Sequence, residues 1–271
     1  MKTKNKNIFF LIEARLNSTR LKNKILKKIF NKYLAIDYVI KNIITSGVSK
    51  SRIILLTPKN KINQRLWSYV RKKYNITIFK GSNANVFSRV LSCCETFRIF
   101  KFARITSDNI FLDPLFIKKA KKEFEKNKAD YLSSRTMDHT KKWKAQSDYN
   151  EGTSIEFLNS NILKKVKKLV NKSNYEYPTW NIFSIPNKFK IRKFKLISEY
   201  RGLKIKHLRT TLDTKDDLKF LRTVSKKLEL KPGENNLLKL LKNSKFSIDS
   251  AINIKTQKKV AYKIIKQRKS I

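Results

Sequence analysis

Between residues 8 and 228, short apolar runs alternate with longer segments whose apolar positions recur at helical spacing. This alternation constrains the fold more than any other feature. Strand–helix–strand repetition requires right-handed crossovers around a mostly parallel sheet, which is the α/β class. The strand-like runs are Ile8–Glu13, Arg52–Thr57, Ile76–Phe79, Phe102–Thr106, Asp130–Ser134, Ser154–Leu158, Lys190–Ile197 and Arg209–Leu212. Between them the spacing predicts helices over 34–44 (ended by Gly47), 62–74, 86–100, 115–124, 162–170 and 218–228. The polar segment Thr136–Gly152 lacks either period and interrupts the alternation, as an insertion or lid near a site would. After Lys231-Pro232-Gly233 the pattern weakens to a short helix, Asn236–Leu241, and a basic stretch, Lys255–Ile271. Residues 1–230 are thus expected to form one domain, and 231–271 a helical, basic C-terminal extension.

Several function classes fall away on composition. No stretch approaches the roughly 18 apolar residues that a membrane span needs. The N-terminal apolar run is interrupted by Glu13 and Arg15, too soon for a signal peptide. It reads as a first strand, and the chain as cytoplasmic, with no membrane insertion. The cysteines, Cys93 and Cys94, are adjacent and suit neither a disulfide nor a zinc site. Buried thiols in a reducing compartment are the expectation. His139 and His207 are the only histidines, which excludes a His-rich metal centre.

The net charge of +44 normally points to a polyanion. The excess is spread along the chain, however: residues 231–271 hold eleven Lys/Arg against two Asp/Glu, a surplus of only nine. Abundant Lys, Asn, Ile and Phe with scarce Gly and Pro is the bias of an AT-rich genome. Much of the charge then belongs to solvated faces, and it decides no function by itself. No specific nucleic-acid module is present.

The loop after the first run, "EARLNSTRLKNKIL" (Glu13–Leu26), concentrates Arg15, Ser18, Thr19, Arg20 and Lys24 in one turn. In open α/β sheets ligands collect at the carboxyl ends of strands. There a helix N-terminus and backbone N–H groups favour phosphate, and small residues let the backbone approach it. Neither GxxxxGK[ST] nor GxGxxG occurs, so a phosphate loop here is of another type. Simple capping by Ser18 with solvated lysines is the competing reading, and it suffices for Lys22, Lys27 and Lys28. Arg15, fixed at the strand end, favours function.

The same stretch resembles the opening motif of the spore-coat polysaccharide cytidylyltransferase-like family, close to QARMGSTRLPGKVL. That family is similar to the CMP-Kdo and acylneuraminate cytidylyltransferases. Three further stretches agree in order: "KGSNANVFSRV" (Lys80–Val90) with RGSEDDVLDRY, "RITSDNIFLDP" (Arg104–Pro114) with RITGDCPLIDP, and "LRTTLDTKDDLKFL" (Leu208–Leu221) with LRLTLDTPEDLEFI. Tyr175–Ile182 resembles EREHVTPYI more weakly. The resemblance covers about residues 7–230. It implies a three-layer, Rossmann-like nucleotide-diphospho-sugar transferase fold with a mostly parallel, mixed central sheet.

The resemblance also implies roles. Arg15 and Lys24 would contact a triphosphate, with Arg20 and the backbone near Ala14, Ser18 and Thr19 assisting. Gly81, Ser82 and Arg89 would lie by the base or ribose. Asp108 and Asp213, each just beyond a strand-like run, would hold Mg2+. Capping of the following turns is the alternative use of both. Asp113 reads as an N-cap before Pro114, and Asp216 and Asp217 suit a helix's first turn. Arg104 is either buried beside a carboxylate or faces the sugar. The sugar would sit under Thr136–Gly152 and near Glu176, where Arg135, Lys141, Lys142 and Lys144 offer cations.

Departures from the family pattern bear on nucleotide choice. Asn17 stands for a Gly, where Asn tolerates a positive φ. Lys22-Asn23 replaces Pro-Gly, which loosens the loop. Ser107 replaces a Gly, Ile110 a Pro, and Tyr177 a His. Glu13 replaces a Gln and would repel phosphate unless Lys24 or Arg20 pairs with it. The implied activity is transfer of CMP from CTP to a sugar, a 3-deoxy-2-keto sugar acid, with release of pyrophosphate for a surface polysaccharide. Related synthetases are often homodimers. The alternatives are another nucleotide with a sugar phosphate, or a non-catalytic polyanion binder on the same fold.

Overall fold

The run Ile8–Glu13 is apolar up to its last residue, which suits a strand covered on both faces. In the computed structural model it is β1, an interior strand of a seven-stranded sheet. The structure describes residues 7–138, 144–169, 179, 182–183, 185–205 and 208–243. A hairpin of β2 (Lys28–Phe30) and β3 (Tyr33–Leu34) leads into helix α1 (Ala35–Thr45). There follow β4 (Ile53–Pro58), α2 (Gln64–Tyr74), β5 (Thr77–Gly81), α3 (Val86–Thr96), β6 (Lys101–Thr106) and α4 (Pro114–Lys126). The second half holds β7 (Tyr131–Ser133), a hairpin of β8 (Arg135–Asp138) and β9 (Lys144–Ser147), β10 (Glu156–Asn159) and α5 (Ser160–Leu169). It closes with β11 (Ile191–Lys193), α6 (Lys215–Lys227) and α7 (Asn236–Lys242).

The sheet order is β11-β7-β10-β6-β1-β4-β5. All neighbours are parallel except β10, which runs antiparallel to β6 and β7. The expected mostly parallel, mixed sheet is therefore present. Successive side chains of a strand point to opposite faces. Phe10, Ile12, Ile53, Leu55, Ala103 and Ile105 face the layer of α1, α2, α4, α6 and α7. Leu11, Ile54, Leu56 and Phe102 face α3 and α5. The result is the three-layer arrangement. No helix among the described residues is long and apolar enough to cross a membrane. Cys93 and Cys94 are buried free thiols on α3.

Three features differ from the reading of the sequence. The loop after β1 does not run straight into a helix: a 3-10 turn (Lys24–Leu26) and the β2–β3 hairpin intervene. The segment from Thr136 carries the β8–β9 pairing, Arg135↔Ser147 to Asp138↔Lys144. Residues 209–212 form no strand; Arg209 makes one isolated bridge to Glu151. The extended stretch spends its N–H groups on loops instead, Thr210 N on Glu151 O (2.7 Å) and Leu212 N on Asp108 O (3.0 Å). Residues 231–243 pack into the main core, where Leu237 and Leu240 are fully buried. Asp113 sits at the N-cap position of α4, but its carboxylate reaches α7, accepting from Leu237 N (2.8 Å) and Leu238 N (2.9 Å). Asn235 Oδ1 returns the cap, accepting from Leu115 N at 3.0 Å. The basic stretch 255–271 lies outside the described residues, as do Lys141, Lys142, Glu176 and Tyr177.

Candidate active site

The carboxyl ends of β1 and β6 lie side by side, in the register Glu13↔Thr106. Ser107 N extends the pairing by donating to Glu13 O at 3.0 Å, and Ala14 N donates to Leu56 O at 3.0 Å. The loop that follows is pinned at both ends. Leu16 N donates to Asn63 Oδ1 (2.9 Å), and Asn23 N to Leu16 O (3.1 Å). The positive φ of this loop falls at Asn23 (φ 55°), while Asn17 is not among the positive-φ residues. The tight turn thus sits just before Lys24. The 3-10 turn begins there, and buried Ile25 anchors it, so that the Lys24 side chain enters the cluster at 11% exposure.

Lys24 Nζ donates to Asp108 Oδ2 at 2.8 Å and to Asp213 Oδ1 at 2.6 Å. Three chain segments, far apart in sequence, therefore meet at one ammonium. Burial alone would lower the Lys24 pKa, but the two carboxylates outweigh it and raise it above 10.5. Arg20, exposed at 44%, also reaches Asp213 Oδ1 (3.1 Å). Burial would raise the Asp213 carboxyl, but Lys24, Arg20 and Arg209 hold it below its ordinary value. Asp213 is fixed from behind. Its N–H and that of Thr214 donate to Asp217 Oδ2 (2.9 Å each), while Thr214 Oγ1 accepts from Asp217 N. This is a capping box at the start of α6, as expected for Asp217.

Arg209 was not singled out in the sequence, yet it organises this half of the site. It contacts Glu151 Oε2 (2.6 Å), Asp213 Oδ2 (3.1 Å) and Asp217 Oδ1 (3.2 Å), and its side chain is 5% exposed. Gly152 makes the approach possible. Its φ is +111°, and a Cβ there would stand 2.5–2.7 Å from Thr210 and Thr211.

A second ionic group lies on the α3/α5 side of the same edge. Glu13 pairs with Arg104, at 2.9 Å to Nε and 2.8 Å to Nη2, and not with Lys24 or Arg20. Glu156 holds Arg104 Nη1 and accepts from Tyr131 OH (2.8 Å) and Thr179 Oγ1 (2.8 Å). Of the two readings of Arg104, burial between carboxylates is the one observed. The repulsion expected of Glu13 toward phosphate is therefore largely neutralised within the sheet.

Gly81, Ser82 and Arg89 form a unit at the end of β5. Arg89 Nη1 donates to Ser82 O, and Ser82 Oγ accepts from Asn85 N (3.1 Å). A Cβ at Gly81 would lie 2.7 Å from Arg89 Cγ, so the glycine makes room for the aliphatic stem of Arg89. Arg89 is buried, its Nε has no partner among the described residues, and burial lowers its pKa. Arg15 and Thr19 are exposed on the first loop, Ser18 is half-buried, and Ala14 is buried at the strand end.

Magnesium takes oxygen ligands and commonly uses one or two carboxylates, leaving the rest to water and phosphate. Asp108 and Asp213 could offer two such carboxylates, both of which Lys24 occupies here. Among the described residues no group of three or more His, Cys, Asp or Glu could hold a metal unaided.

Residues 9–176 match the cytidylyltransferase family. The spore coat polysaccharide biosynthesis protein SpsF of Bacillus subtilis is 22% identical over 231 residues, 83% of this chain and 89% of that one. A cytidylyltransferase from Leptospira borgpetersenii superposes with a TM-score of 0.74 at 21% identity, over 89% of this chain and 96% of that one. The CMP:2-keto-3-deoxy-manno-octonic acid synthetase complexed with CTP superposes with a TM-score of 0.58 at 13% identity, over 82% and 99%.

Proposed function

The chain belongs to the cytidylyltransferase family, and from that premise we propose that it transfers CMP from CTP to a sugar, releasing pyrophosphate. The finer part of the reading is that the sugar is a 3-deoxy-2-keto sugar acid destined for a surface polysaccharide. One observation carries the chemistry: a lysine from the first loop shares its ammonium with two aspartates at the carboxyl edge of the sheet. The SpsF relationship and the CTP-bound structural neighbour support the cytidine and polysaccharide parts.

In such a transfer a sugar oxygen attacks the α-phosphorus, and the bond to pyrophosphate breaks. The protein's task is to position the reactants and to neutralise charge. Lys24, Arg20 and Arg15 place three cations on the loop that would receive the triphosphate. Asp108 and Asp213 would hold magnesium, which when bound neutralises charge on the phosphate oxygens. Arg209 and Asp217 keep Asp213 oriented, as supporting groups keep metal ligands aimed. Gly81, Ser82 and Arg89, gathered at the end of β5, would lie by the base or ribose. The β8–β9 hairpin, with Arg135 exposed on it, would cover the sugar.

The test is pyrophosphate release from CTP and magnesium with a panel of 3-deoxy-2-keto sugar acids. Release that needs both CTP and one member of the panel is expected. If neutral sugars or sugar phosphates alone support release, the acid part of the reading is lost. If no acceptor does, the transferase reading fails.

A further inference from the structure

The cation site of the proposed reaction is already filled by a side chain. Asp213 carries Lys24 and Arg20 on Oδ1 and Arg209 on Oδ2, so both of its oxygens are engaged. Asp108 Oδ2 faces the same Lys24 ammonium. A divalent ion cannot take the two carboxylates while that ammonium stays, because like charges a few ångströms apart in a half-buried site repel strongly. The three cations differ in what holds them. Arg209 is buried and locked by two further carboxylates, Glu151 and Asp217. Lys24 has only the two aspartates as ionic partners among the described residues. Its charge is a point on a flexible four-carbon stem, free to reorient about a fixed backbone. It also leaves from the loop that would meet the triphosphate.

We propose that Lys24 is the resident counter-cation of the Asp108–Asp213 pair, and that it yields the pair to a divalent ion only when a nucleoside triphosphate takes up its ammonium. Metal and nucleotide then bind as a coupled pair. The ligand-free protein holds no divalent ion, and neither carboxylate is left uncompensated meanwhile. By linkage, each ligand raises the affinity for the other by the same factor. The inference rests on the assignment of Asp108 and Asp213 to a metal.

The experiment is a manganese titration of the nucleotide-free protein, read by the electron paramagnetic resonance of free Mn2+. Wild type, Lys24→Met, Lys24→Gln and Asp108→Asn are compared. The expected result is no Asp108-dependent manganese binding in wild type, and binding at least tenfold tighter in whichever Lys24 variant folds. Melting temperature gives a second readout: Mn2+ should stabilise the Lys24 variants and leave nucleotide-free wild type unchanged. Wild type binding Mn2+ as tightly as the Lys24 variants, with the binding lost in Asp108→Asn, would overturn the counter-cation role and leave the metal assignment standing. No Asp108-dependent binding in any of the proteins, even with a non-hydrolysable CTP analogue present, would overturn both.

Discussion

Replacing Arg209 by Met removes a charge while keeping the stem that packs against its surroundings. Asp213 and Asp217, both buried, lose one cation between them, and Glu151 loses its partner at 2.6 Å. Breaking a buried ionic group by deleting one member costs about 3–5 kcal/mol, since the remaining charges stay desolvated. Asp213 keeps Lys24 and Arg20, and Asp217 keeps two backbone N–H donors. The lower end, about 3 kcal/mol, is therefore the expectation. Total domain stability is roughly 5–15 kcal/mol, so the loss is large but survivable. In a chain of this size it corresponds to a fall in Tm of roughly 6–12 °C. The pH dependence adds a second check. Asp213 has its folded pKa below 3.8, so its ion pairs stabilise above about pH 4 and lose that contribution as pH falls through the folded value. The gap between wild type and Arg209→Met should accordingly narrow below pH 4. Urea denaturation at pH 7 and thermal melts from pH 3 to 8 read both effects. A loss under about 1 kcal/mol at pH 7, or a gap independent of pH, would refute the role given to Arg209.

Two further perturbations follow from the geometry. Gly152→Ala combines a positive φ with a Cβ inside contact distance of backbone at residues 210 and 211. A loss of about 2–5 kcal/mol is expected by denaturant unfolding, with weaker CTP binding because the stretch leading to Asp213 must shift. Asp113→Ala strands two buried donors, Tyr200 OH and Leu237 N, and a partly buried one, Leu238 N, and should cost about 2–5 kcal/mol. Burial pushes the Asp113 carboxyl up to about 7. The folded protein then holds this proton more tightly than the unfolded chain, and ionisation erodes stability as pH rises from about 4 to about 7. The cost of Asp113→Ala should be smaller at pH 8 than at pH 5.

The strands that carry the site were legible because burial on both faces leaves a short apolar run, as in Ile8–Glu13 and residues 53–56. The parallel order followed from the helices between them. The β2–β3 hairpin was missed because each strand has only two or three residues, although Asn31, at φ 47°, marks the turn. Lys24, Asp108 and Asp213 were found as motif residues, but their meeting at one ammonium spans up to 189 positions and no local pattern records it. Arg209 was invisible as a site residue for a related reason. Its partners Asp213 and Asp217 are near in sequence, but Glu151 reaches it only through the bend at Gly152. For Glu13 the nearby cations in sequence are Lys24 and Arg20, whereas strand register delivers Arg104, 91 residues away. The helix at 236–242 could be read from its leucines; that it docks into the core depends on Asp113 reaching across to its N-terminus.

The central claim is that the loop from Ala14 to Lys24, closed against Asp108 and Asp213, receives CTP. The most direct measurement is calorimetric binding of CTP, UTP, GTP and ATP with magnesium to wild type and to Asp108→Asn. The account predicts binding selective for CTP and strongly weakened in the variant; at 100 times its dissociation constant CTP should add about 2.7 kcal/mol of stability to wild type. Equal binding of all four nucleotides, or CTP binding unaffected by Asp108→Asn, would contradict it.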